Sequence, residues 1–213
     1  SPRRQRQMCI RDSFSEKLKL FDLNKENGSS VVLIDNEYGK RISEINSHTK
    51  CISIENEDVD YSCTSYGIND LGIKGTLAWD SKTLDFESKL IGLFNLENLI
   101  LAAAIAIELN ISSKSISEGI KNCTNIVGRL HLVKNKADQM IFLDYGHTPD
   151  AYLKVLKTLK NSFCRPLKVV FGAGGGRDKS KRPKMAEIVE KYSEECYLAP
   201  DNPRFEDIES IND

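Results

Sequence analysis

The sequence predicts an α/β protein, and three observations carry that prediction. Over residues 141–199, apolar runs of strand length alternate with helix patterns in the order β-α-β-α-β. That order is the signature of a mostly parallel sheet covered by helices. Upstream, strand-length apolar runs stand at 31–35 and 51–54, while residues 61–90 are poorly patterned, with Gly67, Gly72 and Gly75 suggesting loops and antiparallel strands. Three polar clusters, DYGHTPD, GAGGGRD and PDNPR, each follow directly after a predicted strand. Ligands of open α/β sheets sit beyond the carboxyl ends of the strands, so three such clusters on one edge predict a binding site.

The elements follow in order. Residues 1–13, SPRRQRQMCIRDS, hold four of the ten arginines and no lysine, unlike the rest of the chain. They can be read as a basic arm for an anionic partner. Their likeness to translated adapter sequence makes a non-native extension the better reading, and they are set aside from the fold. VVLID (31–35) is a buried strand closed by turn residues Asn36 to Gly39, and CISI (51–54) is a second strand. NLILAAAIAIEL (98–109) is apolar nearly all round, which predicts a buried helix. A further helix covers Ser115 to Cys123. IFLDY (141–145) is a strand; Thr148 is then the N-cap, Pro149 the first helical residue and Asp150 a first-turn acid of a helix to about Leu159. LKVVFG is the next strand, Pro183 opens a helix to about Glu194, and CYLA is a strand again.

Composition bounds the class. With 213 residues the chain can hold one large or two modest domains. Hydrophobic residues at 40% and charged residues at 29% are ordinary for a soluble globular protein. A formal net charge of −1 leaves no footprint of non-specific nucleic-acid binding. The longest apolar run, Leu99 to Ile107, is nine residues, too short to span a bilayer. No secretory signal is visible. Six cysteines lie far apart with no C-x-x-C pair, which argues against a zinc site or disulfide framework and predicts reduced thiols in a cytoplasm.

FGAGGGRDKSKRPKM (171–185) raises the question of a phosphate cradle. No glycine in it begins the P-loop pattern G-x-x-x-x-G-K-[ST], and the dinucleotide pattern started by Gly172 and Gly174 meets Arg177 where its third glycine belongs. The stretch satisfies neither motif.

Together, VVLIDNEYGKR, GLFNLENLILAA, GRLHLV, FLDYGHTPDA, VFGAGGGRDKSKRPKM and DNPRFED resemble the Mur ligases. These are ATP-dependent amide-bond-forming enzymes of peptidoglycan synthesis, and the likeness is greatest to the branch that adds 2,6-diaminopimelate. The family has a uridine-nucleotide domain, a central ATPase domain and a C-terminal Rossmann-like domain. The resemblance implies that residues 14–127 are the C-terminal part of the central domain and 128–213 the N-terminal part of the amino-acid-binding domain, both incomplete. It implies a P-loop upstream of the matched stretch and ATP and Mg²⁺ as cofactors. The substrates would be the UDP-N-acetylmuramoyl dipeptide and meso-diaminopimelate, handled by a cytoplasmic monomer with no nucleic-acid or membrane partner.

The resemblance also assigns residues. EKLKLF (16–21) falls where the family has A-K-x-x-L-F, which places Lys17 at the carbamylated lysine, with Glu16 in place of alanine. A lysine carbamate is an anionic oxygen ligand suited to Mg²⁺. Asn95 and Asn98 match the family's adenine contacts; taken alone, Asn95 reads as a helix cap. Arg129 matches an arginine that reaches the ATP phosphates and stabilises transferring charge, with His131 replacing the usual glutamate. Asp144 matches a carboxylate on the ATP ribose, and His147 lies near the same nucleotide edge. Arg177 matches the arginine of the family's GGDRD, which faces the incoming amino acid, with Gly176 replacing the first aspartate. Asp201, Asn202 and Arg204 complete the implied diaminopimelate pocket. Two rivals stand beside this reading: another amide ligase of the superfamily, D-glutamate-adding or folylpolyglutamate, and a non-catalytic nucleotide- or amino-acid-binding module. DNPR argues against the first.

Overall fold

The computed structural model describes residues 14–23, 28–137 and 139–212. The segment 1–13, read from sequence as a non-native extension, lies outside the described residues. Contacts divide the chain into two units. The first runs up to Gly67 and adds Lys74–Ser88 and Asn95–Asn122; the second holds Ile68–Ile73, Lys89–Phe94 and everything from Cys123 onward.

The first unit opens with helix α1 (14–22). Strand β1 (Ser30–Leu33), helix α2 (Glu37–Ile45) and strand β2 (Thr49–Ser53) form a right-sized crossover, and β1 pairs with β2 in parallel. The Asn36 side chain caps α2 by accepting the Gly39 N–H at 2.9 Å, which satisfies one of the orphan donors of a first turn. Gly39 is buried because a Cβ there would run into the Leu33 carbonyl, so α2 can cross its strand only on a glycine. Strand β3 (Tyr61–Asn69) adds in parallel to β2, and β4 (Gly72–Trp79) and β5 (Lys82–Ser88) complete a sheet of order β1-β2-β3-β4-β5. Two-residue connections join β3, β4 and β5, a length only antiparallel neighbours allow. Between β4 and β5, Asp80 (φ 44°) and Ser81 (φ 61°) take the left-handed conformations of a hairpin turn.

Helix α3 (Leu93–Glu108) begins five residues before the apolar run expected from sequence, and α4 is Ser113–Asn122. Asn95 therefore sits inside α3 and not at its cap. The inner stripe of α3, including Leu96, Leu99, Ile100, Ala103 and Ala104, is buried, whereas Ile105 is 48% exposed. The helix read from sequence as buried all round is covered on one face by the described residues.

In the second unit, β6 (His131–Val133) pairs antiparallel with β7 (Ile141–Leu143). Helix α5 (Pro149–Phe163) follows, then β8 (Lys168–Phe171), α6 (Lys181–Tyr192), β9 (Glu195–Leu198) and the short α7 (Ile208–Asn212). β8 and β9 pair in parallel, Lys168 opposite Glu195 through Phe171 opposite Leu198. The α/β fold and the parallel pairing are those expected. Among the described residues, however, β7 joins β6 and forms no ladder with β8. Thr148 caps α5 by accepting the Ala151 N–H at 3.3 Å, and the helix ends at Phe163, four residues later than expected, with Cys164 as its C-cap in the left-handed region. Lys181 opens α6, so Pro183 falls within its first turn, where a missing N–H costs nothing. The core gathers Ile91, Leu130 and Leu159 with Phe142, Val155 and Phe163 around them. All five described cysteines are free thiols. No helix among the described residues is long and apolar enough to cross a membrane.

Candidate active site

The three polar clusters occupy the carboxyl ends of β7, β8 and β9 and line one cavity of about 530 Å³. Asp144, His147, Arg177, Asp201, Asn202 and Arg204 all face it, joined by Lys181 and Arg182 from the start of α6. Six of the ten residues singled out from sequence are thus brought together by the second unit.

The glycines of the β8 loop act through packing. A Cβ on Gly172 would meet the Ala199 carbonyl oxygen, and one on Gly175 the Pro203 carbonyl oxygen, so the β8 and β9 loops touch backbone to backbone. Hydrogen bonds close the seam: Ala199 N–H donates to the Phe171 carbonyl at 2.8 Å and Gly175 N–H to the Asn202 carbonyl at 2.9 Å. This is why the stretch carries a run of glycines without being a phosphate loop. Arg204 has φ 52°, a conformation that costs a non-glycine residue energy and clusters at ligand-binding positions. Its Nη1 donates to the Gly175 carbonyl at 2.5 Å, and its backbone N–H to Asn202 Oδ1 at 3.1 Å. One guanidinium N–H is used in that bond; four remain for a ligand.

Asp144 is fixed from two sides. Its Oδ2 accepts the Leu130 N–H at 2.9 Å and its Oδ1 the Gly146 N–H at 2.7 Å, so each oxygen keeps a lone pair for a hydroxyl donor. The GRL turn is docked on the same strand end, Tyr145 N–H donating to the Gly128 carbonyl at 2.8 Å. Arg129 projects from that turn as an exposed residue and is not part of the cavity lining. His147 Nδ1 lies 3.1 Å from the Tyr145 carbonyl. Burial, and then the charges of Asp201 and Asp144, push the Tyr152 hydroxyl above its ordinary pKa. It donates to the Gly172 carbonyl at 3.4 Å, bridging α5 to the glycine loop.

Lys17, Asn95 and Asn98 belong to the first unit. Lys17 is exposed on α1, next to Glu16, whose carboxylate pairs with Lys19 at 2.7 Å. Asn95 is 2% exposed within α3, and Asn98, three residues on, is exposed. Among the described residues no three His, Cys, Asp or Glu side chains gather as a metal site. A second cavity of about 590 Å³ lies between β4, β5 and α4 and contains none of the ten residues.

Sequence reasoning missed Glu206, Arg182 and Tyr152. Glu206 Oε1 accepts the Gly176 N–H at 2.7 Å and Oε2 accepts Arg182 Nη2 at 2.8 Å, with Lys179 at 3.2 Å. The Arg182 hydrogen bond first, then the Gly176 N–H, holds the Glu206 carboxyl at about 2. The signal available in the sequence was an acid two residues after DNPR and an unassigned arginine after RDKSK.

An α/β unit with three loops converging at its strand ends, preceded by a mixed sheet, defines a class. The chain belongs to the Mur ligase family: the Mur ligase middle domain matches residues 8–106, and the Mur ligase glutamate ligase domain matches residues 128–213. It is similar to enzymes that share one name, UDP-N-acetylmuramoyl-L-alanyl-D-glutamate–2,6-diaminopimelate ligase. Identity is 31% over 208 residues with the enzyme of Nostoc sp., covering 96% of this chain and 42% of the relative. With that of Aquifex aeolicus it is 36% over 202 residues, covering 95% and 41%. A solved structure of a ligase with this name superposes with TM-score 0.61 at 29% identity, over 93% of this chain and 42% of the other. Folylpolyglutamate synthetase from Lactobacillus casei shares the fold, with TM-score 0.68 at 18% identity over 91% and 48%. The chain spans about two fifths of the length of the curated relatives it matches.

Proposed function

We propose that this chain is part of an ATP-dependent ligase that adds meso-diaminopimelate to UDP-N-acetylmuramoyl-L-alanyl-D-glutamate, a cytoplasmic step of peptidoglycan synthesis carried out by a monomer. The observation that carries the reading is one cavity lined by Arg177, Arg204, Asp201 and Asn202 beside Asp144 and His147, in a chain similar to ligases named for diaminopimelate. ATP would supply the phosphoryl group that converts the D-glutamate γ-carboxylate into an acyl phosphate, with ADP leaving; attack of the amine on the acyl carbon then forms the amide and releases inorganic phosphate.

The chain's own residues bind and orient. Asp144 accepts from a ribose hydroxyl with the lone pairs its backbone donors leave, and His147 borders the same nucleotide. Asn95 and Asn98 pair with the adenine edge, and Arg129 reaches the phosphates. Arg177 and Arg204 supply planar forks for the carboxylates of the amino acid. Asp201 and the Asn202 side-chain carbonyl accept from its distal ammonium. Lys17, as a carbamate, is the proposed Mg²⁺ ligand, completed by groups beyond the described residues. The domain assignment is residues 14–127 to the central domain and 128–213 to the amino-acid domain, residues 1–13 being a non-native extension. The middle-domain match begins at residue 8, inside that extension.

L-Lysine lacks the second carboxylate of diaminopimelate, so it would leave a guanidinium of the pocket facing no anion, an unpaired group that disfavours the analogue. A charge-assisted hydrogen bond contributes roughly 1.5–3 kcal/mol, so Arg204→Ala should lower kcat/KM for diaminopimelate by about tenfold to over a hundredfold in the full-length ligase. Equal use of lysine by the wild type, or no loss in the variant, would refute the assignment.

A further inference from the structure

Glu206 lies two residues beyond Arg204, and the Gly176 N–H that it accepts belongs to the residue just before Arg177. Its other oxygen accepts Arg182 from the first turn of α6, and both side chains are largely shielded, 17% and 14% exposed. The pair therefore ties three segments at one point: the glycine loop, the DNPR loop and the start of α6. Lys179, at 3.2 Å and 68% exposed, adds a contact of the weak surface kind. The seam above it is already narrow, with Arg204 Nη1 on the Gly175 carbonyl. A shift of either loop at Glu206 would change the spacing of the two guanidiniums directly.

We propose that Glu206, acting through Arg182, is the positioning residue that sets the separation of Arg177 and Arg204, and so the selectivity of the pocket for an amino acid with two carboxylates. The inference rests on the reading of that cavity as the amino-acid site. Glu206 touches no substrate; its effect is on where the arginines stand. Neutralising it removes the ion pair and weakens the hold on Gly176, leaving the nucleotide side of the cavity, around Asp144, untouched.

The test is steady-state kinetics of the full-length ligase with Glu206→Gln, Arg182→Gln and the double variant. The expected result is a rise of about tenfold in KM for diaminopimelate, from the loss of a charge-assisted bond. KM for ATP should stay within about twofold, and the preference for diaminopimelate over lysine should narrow. The double variant should be no worse than Glu206→Gln, because the two side chains act as one unit. An unchanged amino-acid KM overturns the proposal, and so does a parallel loss for ATP and amino acid, which marks a general stability role. If Glu206→Gln does not fold, Arg182→Gln, which keeps the Gly176 bond, is judged by the same criteria. Failure of the underlying functional reading shows separately, as a wild type that does not use diaminopimelate.

Discussion

Glu206 shows how a single carboxylate reports on its surroundings. Burial opposes its charge, but the Arg182 hydrogen bond and the Gly176 N–H win, and the carboxyl is held at about 2 against an ordinary 4.5. A group with a depressed folded-state pKa stabilises the protein above the unfolded value and loses that contribution as pH falls through the folded one. The groups facing it are Arg182 and Lys179, both cationic throughout this range. The stability difference between wild type and Glu206→Gln should thus be constant from about pH 7 to about 4.5 and close as pH falls toward about 2. Urea unfolding across that range checks it; a difference that persists at the acid end would show that the carboxylate's charge is not the source. Gly175 makes a steric point at the same scale. Its lack of a side chain is what lets the Pro203 carbonyl lie against it, so the glycine run serves loop packing.

Among the elements, α5 carries its own start signal. Thr148 accepts from Ala151, Pro149 occupies the first turn and Asp150 adds favourable charge beside the helix N-terminus. Replacing Thr148 by alanine should cost about 1 kcal/mol and lower the melting temperature. The cap also anchors the loop holding Asp144 and His147, so the variant should lose activity beyond what its stability predicts. Calorimetry paired with kinetics decides: a melting temperature equal to wild type would mean that the cap contributes nothing. This element was legible because its signals are local. The start of α3 was not, because Asn95 offers a cap signal inside the helix while Leu93 follows a glycine, Gly92, in place of a Ser, Thr, Asp or Asn; its burial also depends on what the sheet presents. The placement of β7 beside β6 was likewise illegible, since β-pairing joins residues distant in sequence and one strand's composition does not name its neighbour.

For the molecule as a whole, the P-loop pattern is missing from all 213 residues, and such a loop cradles the phosphates in phosphoryl transfer. The 213-residue chain by itself should therefore release no phosphate from ATP above background, with or without the UDP-dipeptide and diaminopimelate. A coupled phosphate assay on the purified chain checks this, and substrate-dependent release would show that the described loops hold the phosphates unaided.

By itself the sequence determined the α/β class, the strand–helix order from β7 to β9, the cap of α5 and the three strand-end clusters. Each of these is written in short-range signals: apolar periodicity, N-cap chemistry and turn residues within a few positions. Family motifs then named Arg177, Asp201, Asn202 and Arg204 as a group before any geometry. Only the tertiary structure decided that these four share a cavity with Asp144 and His147, that the glycines pack one loop on another, and that Glu206 and Arg182 join the loops. Those facts depend on contacts between segments some 24 to 30 residues apart, where nothing local in the chain records which group will meet which.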